Sequence, residues 1–448
     1  MSDSQNDQEH QIGEQDITDS THDAGEFTKK DEIALYSRSI ATSINSGLVQ
    51  PFVSMIALRL GATAGILGWI QAVANLLSTF LDPIFGRISD KLRRRIPFIV
   101  ISTITWSIPY IFLYWVKAPE LIIIIVACVN ILLSLGNPAW GALQNELFPA
   151  NIRAKLTGRV FWFSSFGSMI ATLFTGVILT IAFGDIDFQK YILIPICIGI
   201  VISVLGILPF KNIKEPLART REVQVKVDIN MFESLKAVLK NKLFTKYLII
   251  SCIYALFWSF AWPLFSIKQV NVLNASSLEI AILEIIFALT TVLFITFGAK
   301  LSDKIGRIKL IFFSRFCMAI FPLLYIFATE IWHLYLIHVI VASLITFGIT
   351  SAQAYLLDII PPKESGTYFG FFTMITGIFF FFGSLMGGYL VEGLQNWYTL
   401  SKSLTIVFII VASARFSISF LFLTLKEYKK FPYSFGELVK SIKLRRKG

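Results

Sequence analysis

The chain has 448 residues, of which 55% are hydrophobic and only 15% are charged, and its mean hydropathy is +0.68. Soluble globular proteins carry about 25% charged and about 45–50% apolar residues, so this composition excludes an ordinary soluble domain. A formal net charge of +11 would suit a nucleic-acid-binding protein, but the meaning of a net charge depends on where the charges lie. Four cysteines in so long a chain exclude a disulfide scaffold.

The first 31 residues are polar and carry nine acidic residues against Lys29 and Lys30. They contain no apolar stretch that could serve as a cleavable signal peptide. This segment, 1–31, is therefore predicted to be a disordered acidic tail.

After the tail, apolar runs of about twenty residues recur twelve times, and a helix of that length crosses about 30 Å of hydrocarbon. Continuous apolar runs such as 121–126 and 378–382 favour helices over the alternating strands of a barrel. The sequence predicts an all-α integral membrane protein with twelve transmembrane helices in two six-helix parallel repeats. The predicted segments are a six-helix bundle at 32–210, a linker at 211–242, a second six-helix bundle at 243–425 and a basic tail at 426–448.

The positions of lysine and arginine predict the orientation. Most of the 40 basic residues fall in loops and tails on the side of both chain ends. Because cytoplasmic loops carry the excess of basic residues, both termini are expected in the cytoplasm and the protein in the plasma or inner membrane. The basic residues expected on the other side are Arg59, Lys117, Lys190, Lys268 and Lys402.

The linker carries apolar residues at helical spacing beside lysines. This pattern predicts either a helix on the inner membrane face or a short soluble linker helix. The apolar positions are Ile229, Phe232, Leu235, Val238 and Leu239.

Two segments recur at nearly the same offset, which indicates one internal duplication. Residues 86–95 match 299–307 at an offset of 213, and residues 146–149 match 358–361 at an offset of 212. Six spans return the chain to the side where it began, so the repeats are parallel, and proteins of this kind place the substrate site between their repeats.

The repeated segment between the second and third helices carries a glycine, an aspartate and a cluster of basic residues. In these positions the chain resembles the major facilitator superfamily, and the resemblance covers about residues 33–425. The first copy departs from the family pattern at Arg93, and the second departs at Ala299 and Ile308. The matching residues are Gly86, Asp90, Lys91, Arg94 and Arg95 in the first copy, and Asp303, Lys304, Gly306 and Arg307 in the second.

The resemblance implies transport by alternating access, in which the two halves rock about a central site. The basic residues of the loops can reach acids at other cytoplasmic helix ends, where Glu146 and Asp358 lie, and so can form a gating latch. An ion pair at a wet surface contributes only about 1 kcal/mol, which suits a reversible contact. The alternative is that these basic residues only fix the topology.

A second similarity is to the glycoside-pentoside-hexuronide cation symporters and the sucrose carriers. It rests on Asp82 and Pro83 before the glycine, and on Pro97 and Phe98 after three arginines. Members of that group usually add acids to the second and fourth helices, where this chain has Ser78 and Asn137.

Polar or aromatic residues recur every three or four positions on the first, fourth, seventh and tenth helices, and these helices line the cavity in the family resembled. Polar side chains avoid lipid, so the stripes are expected to face inward, although small hydroxyl residues also serve helix packing. A cavity of amides, hydroxyls and aromatic rings suits a neutral or weakly polar organic solute. The predicted substrate-binding residues are Asn45, Gln50, Asn137, Gln144, Tyr254, Trp258 and Gln353.

Coupling to an ion gradient requires a carboxyl group within the membrane, and Glu284 and Asp82 are the candidates. For either residue the alternative is a structural pair with Arg38, Arg315 or Arg415. Arg38 could instead meet a substrate carboxylate.

These features predict a secondary active transporter of a small organic solute, working as a proton-coupled symporter, with sodium as the other possible ion. A monomer surrounded by lipid is expected, with no cofactor, metal or nucleic acid. The alternatives are an exporter of hydrophobic compounds, favoured by Trp258 and Trp262, and a non-transporting receptor on the same fold. An enzyme is not expected, because the histidines lack a metal-ligand arrangement and no nucleotide-binding or nucleophile motif is present.

Overall fold

The computed structural model describes residues 28–92, 94–148, 153–184, 188–213, 231–361 and 364–427. Expectations that concern residues 1–27, Arg93, Pro149, most of the linker and residues 428–448 lie outside these described residues. Ile229 of the expected linker helix also lies outside them.

Within these described ranges, twelve helical spans are long and apolar enough to cross a membrane, which confirms the predicted fold class. Both described chain ends lie on one membrane side, which we call the terminal side, and the other is the distal side. The spans are α1 Lys29–Arg59, α2 Ala64–Leu92, α3 Ile96–Tyr114, α4 Leu121–Gln144, α5 Lys155–Ala182, α6 Gln189–Lys211, α7 Lys242–Val272, α8 Ser277–Ile305, α9 Arg307–Phe327, α10 Ile331–Ile359, α11 Ser365–Leu394 and α12 Leu400–Thr424.

Local sequence explains where several of these helices begin and end. α1 begins at a capping box in which Thr28 and Asp31 satisfy each other's backbone N–H groups. Ser276 and Glu279 form the same motif at the start of α8. α8 and α9 are separated by Gly306, whose φ of +110° lies in a region that glycine adopts readily.

The apolar core shows how the two halves meet. Near the distal side one continuous core joins both halves, from Leu48 and Ile122 in the first to Leu264 and Leu334 in the second. Toward the terminal side it divides into two separate cores, one for each half. The halves are thus packed together distally and separated at the terminal side.

Two glycines of α11 show the same difference in packing. A Cβ atom on Gly388, near the distal end, would lie 2.4 Å from the backbone oxygen of Ala64 on α2. A Cβ atom on Gly370, near the terminal end, would meet nothing within 4 Å. α2 and α11 therefore approach closely from the distal side to about the middle of α11, where Gly377 packs against Thr79, and not at the terminal end. Small residues allow this approach.

Hydrogen bonds also join the halves at the distal side. The carboxylate of Glu392, near the end of α11, accepts hydrogen bonds from the hydroxyl of Thr63 and the backbone N–H of Gly65. The hydroxyl of Thr180, at the end of α5, accepts one from the backbone N–H of Leu278 on α8. These contacts close the distal side, so the conformation is open toward the terminal side.

A short helix, Met231–Leu239, precedes α7. Its residue Val238 is buried in the terminal core of the second half, together with Phe244 and Ile359, while Leu239 is exposed. The helix predicted in the linker therefore packs against the second half of the protein.

Candidate functional site

A cavity of about 470 Å³ lies within the second half, bounded by α7, α8, α9 and α10, with one residue from α12. Its volume falls within the range of small-molecule sites, and its walls combine aromatic rings with a few polar groups. The aromatic lining residues are Trp258, Trp262, Phe265, Phe287, Phe321 and Tyr325.

A break in α7 shapes one wall of this cavity. The regular helix ends at Phe260, and the N–H of Ala261 bonds to Ser259 rather than to Phe257. Helical hydrogen bonding restarts at Trp262, followed by Pro263, which has no N–H to donate. The break leaves carbonyl groups of the preceding turn without their helical donors.

Arg415 of α12 satisfies those carbonyls. Its Nε donates to the oxygen of Phe257 at 3.1 Å, its Nη2 to Trp258 at 2.8 Å, and its Nη1 to Met318 of α9 at 3.5 Å. The side chain is only 1% exposed. From the sequence, Arg415 was considered only as a structural partner of a membrane carboxyl group. In the structure it joins α12 to the broken turn of α7 and to α9.

Trp258, a predicted binding residue, lines the cavity and is held by two arginines. The Arg415 Cζ atom lies 5.0 Å from the centre of its ring, and that of Arg315 lies 5.6 Å away. Tyr254, also predicted, lies behind this wall: it is 3% exposed, its ring is 4.7 Å from Arg315, and its hydroxyl donates to the Arg315 carbonyl. The structure therefore places Tyr254 in support of Trp258 rather than in the cavity lining.

Glu284, a predicted coupling residue, lines the same cavity from α8. Its side chain is exposed to the cavity. Across the described ranges it has neither a hydrogen-bond partner nor an ion-pair partner. The pairing of Glu284 with Arg38, Arg315 or Arg415 that sequence analysis left open is thus absent from the described structure.

Gln269, Tyr325 and His338 are polar lining residues that were not among the predicted binding residues. Gln269 donates its amide N–H to the hydroxyl of Tyr325 at 3.0 Å. His338 lies 2.8 Å from the carbonyl of Leu334 through Nδ1. A carbonyl oxygen only accepts, so Nδ1 carries the proton, and Nε2 of the neutral ring is left as an acceptor.

Six of the seven predicted binding residues, all except Trp258, lie outside the lining of this cavity. Gln50 accepts a hydrogen bond from Ser46 on its own helix, at 2.6 Å, and is exposed. Asn137 and Gln353 are also exposed, and Gln144 is half-buried. All cavity-lining residues come from the second half, so these side chains are separate from the pocket in this terminal-open conformation.

Asn45 is placed differently from the expectation. It is fully buried, and its amide donates to Ser107 at 2.8 Å and to Ser203 at 2.7 Å. Its side chain therefore joins α1 to α3 and α6 and does not face an open cavity. A polar residue on the inner face of a helix serves packing when a neighbouring helix covers it.

Arg38 is 4% exposed, and its guanidinium lies 4.2 Å from the ring centre of Trp140, with Nε donating to Thr103. It is thus held inside the first half by α3 and α4. Asp82, the second predicted coupling residue, lies beside Ser134 of α4. Its Oδ1 atom is buried without a hydrogen-bond partner among the described residues.

The first copy of the repeated loop forms ion pairs inside its own half. Arg95 binds Glu146 at the end of α4, with an Nη2–Oε1 distance of 2.6 Å, and binds Asp90 at 3.0 Å. Gly86 packs near Pro138 of α4, where an added Cβ would lie at 3.3 Å. Lys91 and Arg94 are exposed at the surface.

The second copy repeats this arrangement. Arg307 lies 2.6 Å from Asp303 and donates through Nε to Asp358 at 3.3 Å, while Lys304 is exposed. Arg307 is therefore the structural equivalent of Arg95, not of Arg94 as the 213-residue offset suggested. In this conformation the ion pairs described for each copy lie within that copy's own half of the protein.

Two acidic residues important for helix ends gave no signal in the sequence. Glu392 binds the start of α2 across the halves, as described above. Glu427, after α12, accepts hydrogen bonds from the backbone N–H groups of Arg307 and Ile308 at the start of α9. Negative charge is favourable at a helix N-terminus, but the partners lie 119 to 329 positions away along the chain, so no local pattern reveals them.

Comparison with known proteins agrees with the family resemblance seen in the repeated loops. The family model described as the Major Facilitator Superfamily matches residues 39–261 and again 247–446. An uncharacterised MFS-type transporter of Methanocaldococcus jannaschii is 22% identical over 85% of this chain and 92% of its own length. The class H tetracycline resistance protein of Pasteurella multocida is 32% identical over 26% of this chain, and the match spans only 29% of that protein.

Solved structures with the same fold include two transporters. The nucleoside transporter NupG superposes with a TM-score of 0.67 at 16% identity, covering 90% of this chain and 100% of that one. A bacterial homologue of the human lysosomal transporter Spinster, inward-facing and unoccupied, superposes with a TM-score of 0.63 at 15% identity, covering 90% of this chain and 98% of that one. At these identities the likeness concerns the fold alone.

Proposed function

Because the chain belongs to the major facilitator superfamily, we propose that this transporter moves a small organic solute by proton-coupled alternating access. The observation that carries the proposal is the cavity of about 470 Å³ that contains the carboxyl group of Glu284, which has no partner among the residues that the structure describes. A membrane carboxyl group without a protein partner is a functional candidate, because a purely structural carboxyl is normally paired.

The arrangement of the two halves supports alternating access. The halves share one core at the distal side and have separate cores at the terminal side. Transport requires the opposite arrangement as well, in which the distal contacts break and the terminal ends come together. The ion pairs around Arg95 and Arg307 lie at the helix ends that would then meet, so we retain their proposed role in gating.

Proton-coupled symport is the coupling mode predicted from the sequence. In this mode proton and solute cross together, and the two membrane carboxyl groups, Glu284 and Asp82, provide a site in each half. The exposed side chains Gln50, Asn137 and Gln353 and the half-buried Gln144 would complete the solute site from both halves once the terminal side closes. Sodium in place of the proton would use the same carboxylates.

Export of a hydrophobic compound by proton exchange is the second candidate. The aromatic lining of the cavity favours it, and the match to a tetracycline resistance protein supports it for part of the chain. In this mode one carboxyl group binds the proton and the solute in turn, so Glu284 alone would suffice.

The side on which the cavity opens is assigned from the charges. The terminal side carries the loops and tails rich in lysine and arginine, which by the positive-inside rule face the cytoplasm. We therefore propose a cytoplasmic location for both termini, in the plasma or inner membrane, and a cavity that is open inward. A single chain contains both halves of the transport path, which supports a monomeric transporter.

A thermal-shift screen of the purified protein against sugars, carboxylates, amino acids and drug-like compounds is the first test, because a bound solute stabilises the folded state. The stabilising solute is then supplied to proteoliposomes with an imposed pH gradient. Symport accumulates the solute on the side that protons enter, and exchange accumulates it on the side that they leave. Binding with no transport under either gradient would contradict the proposal and favour a receptor.

A further inference from the structure

The cavity lining contains one acidic and one basic side chain that differ in how far a solute can reach them. Among the described lining residues, Glu284 is the carboxylate and Arg415 is the guanidinium. Arg415 is 1% exposed and its three donor nitrogens all bind backbone oxygens. Glu284 is exposed to the cavity without a partner in the described ranges. The charge that a solute can reach is therefore negative.

The uncharged polar groups add hydrogen-bond acceptors. The hydroxyls of Thr291, Thr346 and Thr350 each donate to a carbonyl of their own helix, so they present only oxygen lone pairs to the cavity. Gln269 donates one amide N–H to Tyr325, which leaves its oxygen as an acceptor and its second N–H as a donor. These acceptors suit a solute that carries N–H donors.

Besides the carboxylate and the hydrogen-bond acceptors, the aromatic walls of the cavity can also recognise a cation. A cation placed over an aromatic ring is attracted by the ring's electron-rich face, and the interaction strengthens when water is excluded. Trp258 and Trp262 come from the broken region of α7, while Phe287 lies one turn from Glu284 on α8. A ring system attached to a cationic group could thus contact these walls and reach the carboxylate together.

We infer that this cavity binds an amphipathic organic cation, with its ammonium group paired to Glu284 and its ring system packed between the aromatic walls. The inference rests on the proposed transport function and specifies its class of solute. It replaces the neutral solute expected from the sequence. With the solute cation at Glu284, proton and solute bind the same carboxylate in turn, so of the two coupling modes proposed above the inference selects proton exchange.

Three probes with one ring system separate charge from shape: naphthylmethylamine, naphthylmethanol and naphthylacetate. Titration calorimetry on the purified, unaltered full chain measures their affinities. The ammonium probe is expected to bind about tenfold more tightly than the alcohol, since a charge pair in a water-poor cavity exceeds a neutral hydrogen bond, and the acetate is expected to bind least. Equal or tighter binding of the alcohol or the acetate, or no binding of the amine at millimolar concentration, would overturn the inference.

Variants locate the effect at Glu284. Glu284→Gln should lower the affinity for the amine about tenfold and leave that for the alcohol within about twofold, because the shape is kept and the charge removed. Glu279→Gln is the matched control on the same helix: Glu279 caps the helix at Ser276 and does not line the cavity, so the amine should keep its affinity. An unchanged preference for the amine in Glu284→Gln would contradict the inference.

The transport assay is kept separate from these titrations. If the amine is not preferred but the solute from the thermal-shift screen is still moved by a proton gradient, the cation inference fails and the proposed function stands. If the amine is preferred but no solute is moved by protons, the proposed function fails and the binding site stands.

Discussion

The carboxylate of Glu392 on α11 accepts a hydrogen bond from the backbone N–H of Gly65 on α2, at 3.1 Å, across the boundary between the two halves. Thr63 donates its hydroxyl to the same oxygen. A carboxylate at a helix N-terminus is stabilised because it accepts hydrogen bonds from the N–H groups that have no partner within the helix. This contact therefore stabilises the distal-closed conformation, and it must break when the distal side opens.

Glu392→Gln should shift the protein toward the distal-open conformation. Glutamine keeps an oxygen acceptor but loses the charge, which is worth about 1 kcal/mol at a helix start, or about a fivefold change in population. Spin labels at Lys117 and Lys402, exposed positions on the distal side of the two halves, report the change as a longer distance. The control is Glu330→Gln, because Glu330 caps its own helix. Equal distances in both variants would contradict the assignment.

Gly388→Ala should have the same effect for a steric reason. The new methyl group would lie 2.4 Å from the backbone oxygen of Ala64, so α2 and α11 must separate at the distal side. Gly370→Ala on the same helix is the matched control, because nothing lies within 4 Å of its added Cβ. The label distance should increase in the first variant only, and a distal side that stays closed in both would show that the backbones do not need this close approach.

Arg415→Lys should destabilise the second half. A lysine keeps the charge but cannot reach the oxygens of Phe257, Trp258 and Met318 at once, so the free energy of unfolding should fall by about 2–3 kcal/mol. Thermal unfolding of the purified protein measures the loss. Arg315→Lys is the comparison, because the guanidinium of Arg315 stacks on rings and its buried Nε lacks a hydrogen-bond partner in the described structure. Equal losses would contradict the role given to Arg415.

Asp90→Asn should slow transport and leave the amount of folded protein largely unchanged. Asp90 is 61% exposed and its pair with Arg95 is worth only about 1 kcal/mol, too little to unfold the protein but enough to change a conformational equilibrium. The initial transport rate and the yield after size-exclusion chromatography are the measurements. Asp303→Asn should behave alike, because its side chain is 66% exposed and pairs with Arg307. Unchanged rates in both variants would remove the gating proposal.

The fold follows from the sequence more completely than the site does. Twelve apolar runs and one duplication are sufficient for the architecture, because a helix in lipid must satisfy its own backbone and has a set length. Periodicity also identified Trp258, and the position of a carboxyl group within a predicted transmembrane helix identified Glu284; both residues line the cavity. Periodicity could not separate Gln50 from Asn45, since both face inward and only the neighbouring helices decide that Asn45 is covered.

No local sequence pattern identifies the exact partners of residues that bind groups far away along the chain. Arg415 serves carbonyls of α7, 157 and 158 positions earlier, and nothing in its neighbourhood indicates that those carbonyls lack helical donors. The pairing of Arg95, rather than Arg94, with Glu146 also needed coordinates, because a one-residue difference between the two loops is ambiguous among three consecutive arginines. Interactions of this kind depend on tertiary approach and not on spacing.

Transport by reconstituted Glu284→Gln protein tests whether Glu284 couples the movement of the solute to that of protons. The assay uses the solute found by thermal shift and compares two conditions: exchange of labelled for unlabelled solute at equilibrium, and net accumulation against an imposed pH gradient. We expect Glu284→Gln to retain exchange, measured at a solute concentration that offsets its weaker binding, and to lose accumulation, while Glu279→Gln retains both. Accumulation at the unaltered rate in Glu284→Gln would contradict this coupling role.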